Sequence, residues 1–194
     1  MKILNLYAGI GGNRKLWDGD IEVTAVEIKE DIVGEYKSNF PDDNVIITDA
    51  HEYLLRHYKE FDFIWSSPPC PTHSRLVYSK SGEKEYPDMR LYQEIIFLKH
   101  FFKKKWIVEN VIPFYIPLIK PSITLDRHNF WSNFNITFKK FKSLNFYKTG
   151  TTNKSMASFH KMPLPNCNDN RLVLRNCVNP KLALHIFNAM RQKE

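Results

Sequence analysis

Cysteine is scarce in this chain: Cys70, Cys167 and Cys177 are the only three, none lies in a CxxC pair, and an odd count leaves one unpaired in any scheme. That excludes a disulfide framework and gives no zinc-site spacing, so no metal is expected. Long hydrophobic runs are missing as well. No stretch approaches the roughly 18 apolar residues that a membrane span needs. The start, Met1-Lys2-Ile3-Leu4-Asn5-Leu6, turns polar too soon for a secretory signal. A soluble protein of the cytoplasm, with no membrane partner, is expected. Internal repeats and low-complexity linkers are also lacking, so nothing divides the chain into modules. Acidic residues are outnumbered, 21 against 28 Lys plus Arg, for a formal net charge of +7 and a pI near 9.2. Such a surface favours a polyanionic partner, although an ordinary basic surface has the same composition.

The residues that are present suffice for a core. A chain of 194 residues, 43% hydrophobic and 14% aromatic, is one domain's worth of sequence and lies far from the composition of disorder. Its first two thirds alternate short apolar runs with helix-like stretches. Lys2 to Tyr7, Glu22 to Val26, Val45 to Ile47, Phe61 to Trp65 and Trp106 to Val108 read as strands. Asn13 to Trp17, Asp31 to Phe40, His51 to Tyr58 and Met89 to Phe102 read as helices, the last from apolar residues near helical spacing at Leu91, Ile95, Leu98 and Phe102. This alternation predicts an α/β fold: a mostly parallel, Rossmann-like sheet with helices on both faces. From Ile112 onward the pattern changes to a possible hairpin arm at Phe130 to Phe138, a basic polar stretch, and a helix over Pro180 to Met190.

In a parallel sheet, ligands bind beyond the carboxyl ends of the strands. Gly9, Glu27, Asp49, Cys70 and Glu109 each follow a successive strand, so the fold should gather them at one crevice. The glycines of Tyr7-Ala8-Gly9-Ile10-Gly11-Gly12 let a ligand approach the backbone where a strand becomes a helix, although a tight structural turn needs them too. Glu27 is placed to accept from ribose hydroxyls, or is a surface glutamate. Asp49 can accept from an adenine amino group, or cap the helix after it. Together these three suggest an adenosine-containing cofactor. Pro68-Pro69-Cys70-Pro71 is odder, because three prolines hold a thiol rigidly at a strand end, as covalent catalysis requires. Most free cysteines are nevertheless buried and structural. Glu109-Asn110-Val111 follows the next strand and offers an acid/base carboxyl group.

These segments together resemble the cytosine-5 methyltransferase family, S-adenosylmethionine-dependent enzymes that act mainly on DNA. Tyr7 to Gly12 resembles the family's cofactor loop, Glu27 and Asp49 its two cofactor acids, Pro68-Pro69-Cys70 its nucleophile motif, and Glu109-Asn110-Val111 its glutamate motif. Asn176-Cys177-Val178-Asn179-Pro180-Lys181-Leu182-Ala183 resembles the last motif, whose helix packs beside the cofactor loop. The motifs stand in the family's order and cover residues 1 to 111 and about 172 to 190. The resemblance implies that Cys70 is the nucleophile that attacks carbon 6 of a flipped cytosine, and that Glu109 holds its N3 and exocyclic amine. Arg127, within Leu125-Asp126-Arg127-His128-Asn129-Phe130, stands about where the family's arginine motif does and is the candidate contact to the base. S-adenosylmethionine, with S-adenosylhomocysteine as product, would be held by Tyr7, Ala8, Gly9, Ile10, Gly11, Gly12, Glu27, Ile28, Asp49, Ala50, Pro68 and Asn176.

Departures from the family pattern bear on the substrate. Pro71-Thr72-His73-Ser74-Arg75 follows Cys70 where the family usually has glutamine, and Arg175 precedes Asn176 in place of glycine. His73, Arg75, Lys148, Lys154, Lys161 and Arg175 are the candidate nucleic-acid contacts; a solvated surface face is their plainer reading. A catalytic core over residues 1–138, a reduced basic recognition segment over 139–171 and a C-terminal motif over 172–194 are expected. With so short a middle segment, Phe146 to His160 is read as a loop or small hairpin. Relaxed sequence specificity follows, or recognition supplied by a partner chain or a second copy. A DNA (cytosine-5)-methyltransferase acting on duplex DNA, as in bacterial or phage restriction-modification, is the reading that explains most. A tRNA cytosine-5 methyltransferase, a non-catalytic nucleic-acid-binding partner and a dinucleotide-dependent oxidoreductase remain alternatives, although the last leaves Pro-Pro-Cys and Glu-Asn-Val unexplained.

Overall fold

A computed structural model describes residues 1–74, 86–146 and 148–192 of the chain. Five strands run parallel: β1 (Lys2–Leu6), β2 (Glu22–Glu27), β3 (Asn44–Ile47), β4 (Phe63–Ser66) and β5 (Lys105–Val111). Two more, β6 (Ile123–Leu125) and β7 (His128–Ser132), extend the sheet antiparallel beyond β5, in the order β3-β2-β1-β4-β5-β7-β6. The chain leaves β1 toward β2 and β3 on one side, and β4 continues on the other. The two halves therefore diverge between β1 and β4, and the carboxyl ends at that divergence are where ligands bind in sheets of this kind.

The helices are α1 (Glu30–Asn39), α2 (Ala50–His57), α3 (Arg90–Phe101), α4 (Asn153–His160), α5 (Asn170–Asn176) and α6 (Pro180–Arg191). Among the described residues, no helix is long and apolar enough to cross a membrane. Successive strand residues point to opposite faces, and the two cores follow that alternation. Ile3, Phe63, Trp65 and Ile107 pack with Leu182, Ile186 and Phe187 of α6. Leu4, Ile64 and Val108 pack with Leu54 of α2 and Leu91, Ile95 and Leu98 of α3. Helices cover both faces, as the strand–helix alternation predicts. Trp17 stacks on Phe187 at 5.0 Å, tying the segment after the glycine loop to α6.

Three expectations are corrected. The stretch from Asn13 forms only a short 3-10 turn, Arg14–Leu16, because Trp17 leaves the helical path for extended backbone. The arm expected over Phe130 to Phe138 is strand only to Ser132. There the Asn133 amide takes over the edge, accepting from the Trp106 N–H and donating to the Lys104 carbonyl, which ends the ladder on β5. The segment read as a loop or hairpin from Phe146 to His160 contains helix α4. Thr152 and Ser155 form a reciprocal capping box at its start, and Lys161 in the left-handed region ends it. Its Met156 and Ala157 pack with Phe146, Leu174, Cys177 and Ile10, so the segment builds its core against the glycine loop.

Candidate active site

The glycine loop sits at the end of β1. Gly11 has φ +85°, and a Cβ there would lie 2.2 Å from the Phe40 ring. Gly12 is tighter in another way, since a Cβ would meet the Cys177 Cβ at 2.9 Å and the Val178 carbonyl at 3.1 Å. The segment leading into α6 therefore lies directly against the loop. Gly9 instead faces open space. Glu27, at the end of β2, accepts from the Gly9 N–H through Oε2 and from the Ile28 and Lys29 N–H groups through Oε1, at 2.9 to 3.1 Å. Asp49, beyond β3, caps α2 by accepting from the Glu52 N–H and pairs with Arg90 at 3.3 Å. The loop and both acids thus line the ends of three adjacent strands.

Beyond the divergence, β4 and β5 supply the other half. Asn110 donates to the Pro68 carbonyl at 3.0 Å, and its Oδ1 accepts from the Val111 N–H. The rigid turn that the prolines begin is thereby anchored to β5. The Cys70 carbonyl accepts from the His73 and Ser74 N–H groups, closing the turn after the thiol. Burial pushes the Cys70 thiol up, Glu109 adds to this, and Arg127 and Arg175 oppose it. These four groups share one electrostatic neighbourhood.

Burial raises Glu109 to about 7, against a hydrogen bond from Ser67 and the positive charge of Arg127. At neutral pH a substantial part of it is a carboxylic acid that can donate a hydrogen bond. Cross-strand pairing sets Val111 opposite His128 on β7, which brings His128 Nε2 within 3.5 Å of Glu109 Oε1. Burial, with Arg127, pushes His128 down to about 3, so it faces Glu109 as a neutral imidazole.

Arg127 lies over the Phe146 ring at 4.3 Å and donates to the Arg175 carbonyl at 2.6 Å. Arg175 ends up near Cys70, in the last turn of α5. Lys148, Lys154 and Lys161 are exposed, as is Asn176, which closes α5. His73 is corrected: it is buried, with Nδ1 at 2.6 Å from the Tyr115 hydroxyl, because the turn after Cys70 folds it under the loop and away from solvent. Arg75 lies outside the described residues. Among the described residues, no group of three or more His, Cys, Asp or Glu is arranged to hold a metal.

The profile of the family described as C-5 cytosine-specific DNA methylase matches residues 1–153. The chain belongs to that family. It is a family of S-adenosylmethionine-dependent methyltransferases, the cofactor expected above. The chain is 38% identical over 81 residues to a tRNA (cytosine(38)-C(5))-methyltransferase of Spodoptera frugiperda, a match covering 38% of this chain and 24% of that protein. It is 28% identical over 117 residues to the type II methyltransferase M1.HphI of Haemophilus parahaemolyticus, covering 56% of this chain and 32% of that one. This C-5 methylase chain thus spans less than half the length of the curated relatives it matches. A solved structure of a DNMT2 mutant from Spodoptera frugiperda aligns with 30% identity and a TM-score of 0.43, over 57% of this chain and 35% of that chain.

Sequence reasoning gave no notice to Ser67 and His128, which meet Glu109, or to Ser66 and Glu94, which hydrogen-bond to each other. Glu94 had a signal, because it falls on the apolar stripe of α3 between Leu91 and Leu98, where a carboxylate is out of place.

Proposed function

We propose that the chain transfers a methyl group from S-adenosylmethionine to carbon 5 of cytosine in DNA, through a covalent bond between Cys70 and carbon 6. The observation that carries this is the pairing of a turn-bound Cys70 with a buried, proton-retaining Glu109 at the ends of neighbouring strands. When bound, the sulfonium cofactor supplies an electrophilic methyl group. Glu27 and Asp49 would accept from its ribose and adenine, the Gly9 to Gly12 backbone would allow its close approach, and Asn176 would stand near its methionine end.

Cytosine is a poor nucleophile at carbon 5. The Cys70 thiolate adds to carbon 6 while Glu109, as the acid, donates to N3 and takes up the developing charge. Carbon 5 becomes enamine-like and can accept the methyl group. Loss of the carbon 5 proton to a water-borne base then expels Cys70 as thiolate, and the N3 proton returns to Glu109, which restores the ring and the acid. The Arg127 and Arg175 charges favour the thiolate at each stage. The base must leave the helical stack to reach Cys70, so duplex DNA would be engaged by base flipping.

Residues 139–171 would serve as the basic recognition segment through Lys148, Lys154 and Lys161. The family description favours DNA, and a short segment points to relaxed specificity or a partner chain. The match to the tRNA enzyme favours RNA as the second reading. Tritiated methyl transfer to duplex DNA, single-stranded DNA and tRNA, with Cys70→Ser as control and bisulfite sequencing of the product, separates the two. Methylcytosine in duplex DNA that vanishes with Cys70→Ser supports the proposal; methylation of tRNA alone replaces it with the second reading.

A further inference from the structure

Glu94 has no solvent exposure, yet it carries a carboxylate into a stripe that Leu91, Ile95 and Leu98 otherwise keep apolar. A buried carboxylate is costly unless several donors satisfy it, and an apolar side chain would fill the same place without that cost. Its partners come from three elements: the residue after β1, the first turn of α2 and the last residue of β4. Oε1 accepts from the Tyr7 hydroxyl at 2.6 Å and lies 3.1 Å from His51 Nδ1; Oε2 accepts from the Ser66 hydroxyl at 2.5 Å.

Each partner borders a different part of the crevice. Tyr7 opens the glycine loop and stands at φ +55°, a conformation costly for an aromatic residue unless its surroundings enforce it. His51 follows the Asp49 cap by two residues. Ser66 ends β4, four residues before Cys70. The charged groups facing His51 are Glu94 and Arg90 from α3 and Asp49 from the preceding turn, and its hydrogen bond with Glu94 favours the imidazolium.

We infer that Glu94 is a positioning residue that couples the cofactor loop to the nucleophile turn, one oxygen holding Tyr7 and His51 and the other holding Ser66. The inference rests on the reading of the glycine loop and Cys70 as one methyl-transfer site. It predicts that the arms are separable. Tyr7→Phe removes the cofactor arm alone, Ser66→Ala removes the nucleophile arm alone, and Glu94→Gln disturbs both.

Two measurements that need no turnover test this: the dissociation constant for S-adenosylhomocysteine by calorimetry, and the rate of Cys70 alkylation by iodoacetamide, followed on the Cys70 peptide by mass spectrometry. Tyr7→Phe should weaken S-adenosylhomocysteine about tenfold, the scale of a lost hydrogen bond to a charged group, and leave alkylation unchanged. Ser66→Ala should change the alkylation rate and leave binding unchanged. Glu94→Gln should change both, and adding Tyr7→Phe to it should weaken binding no further. If Glu94→Gln does not fold, the two single-arm variants decide the matter. Wild-type values for both measurements in Glu94→Gln, or equal loss of both in Tyr7→Phe and Ser66→Ala, would overturn the inference. Failure of the wild-type chain to bind S-adenosylhomocysteine would instead overturn the reading beneath it.

Discussion

Glu109 Oε1 lies 3.5 Å from His128 Nε2 across the β5–β7 ladder, with both side chains almost wholly removed from water. Burial holds His128 at about 3, so it cannot lend Glu109 a positive charge, and Glu109 stays near 7. The same burial pushes the Cys70 thiol up. The form that the proposed mechanism uses, with Glu109 protonated and Cys70 ionised, is therefore a minority species at every pH.

A bell-shaped dependence of kcat/KM on pH follows. Its rising limb should fall near 7 and its descending limb in the alkaline range of the raised thiol. In Glu109→Gln the acid no longer titrates, so a lower rate should climb with pH and not turn down. Initial rates from pH 5 to 10 for both proteins check this.

Glu109 should also cost the fold stability at alkaline pH. Its carboxyl is held at about 7 against an ordinary value of 4.5, so between those values the native state binds more protons than the unfolded chain. Stability must then fall as pH rises through that window, by up to about 3 kcal/mol. Glu109→Gln removes the ionisation and should be more stable than wild type at pH 8, with little difference at pH 4. Urea unfolding at the two pH values measures it.

Gly12→Ala places a methyl group against Cys177 and the Val178 carbonyl. The loop and the segment before α6 must separate, at about 1–3 kcal/mol for an overpacked contact. Both a lower Tm and weaker S-adenosylhomocysteine binding are expected, read by thermal melts with and without the ligand. Gly9→Ala meets no atom within 4 Å but is strained by its φ of +54°, so its stability loss should be smaller.

Asn110→Ala frees the Pro68 carbonyl and leaves it buried without its donor. An unsatisfied buried acceptor costs about 1–3 kcal/mol, and the nucleophile turn carries that loss. Turnover should drop while the KM for the cofactor holds, because Asn110 spends its side-chain hydrogen bonds on the Pro68 carbonyl and the Val111 N–H and not on the glycine loop or its acids. Steady-state kinetics with the methyl donor varied distinguishes the two parameters.

The parallel half of the sheet was legible in the sequence because its strands are short apolar runs, each closed by a residue unusual for its place: Gly9, Glu27, Asp49, Cys70, Glu109. The antiparallel edge was not, since β6 has only three residues and Asn133 ends β7 through side-chain bonds across the chain. Helix α4 was hidden by its composition. Asn153-Lys154-Ser155 reads as polar loop, and only the Thr152 capping box and the burial of Met156 against Ile10 make it helical. His73 was misplaced because a histidine after a proline turn reads as exposed, whereas Tyr115, far along the chain, draws it inward. Glu94 went unnoticed because its partners Tyr7, His51 and Ser66 meet only in the folded sheet.

The proposed methyl transfer turns on a covalent bond between Cys70 and carbon 6 of cytosine. Fluorine at carbon 5 blocks the proton loss that releases the enzyme. Incubation with S-adenosylmethionine and duplex DNA containing 5-fluorocytosine should therefore yield a denaturation-resistant adduct. Peptide mapping should place it on Cys70, and Cys70→Ser should form none. Methylated cytosine produced by Cys70→Ser, or an adduct on Cys167 or Cys177, would contradict the account.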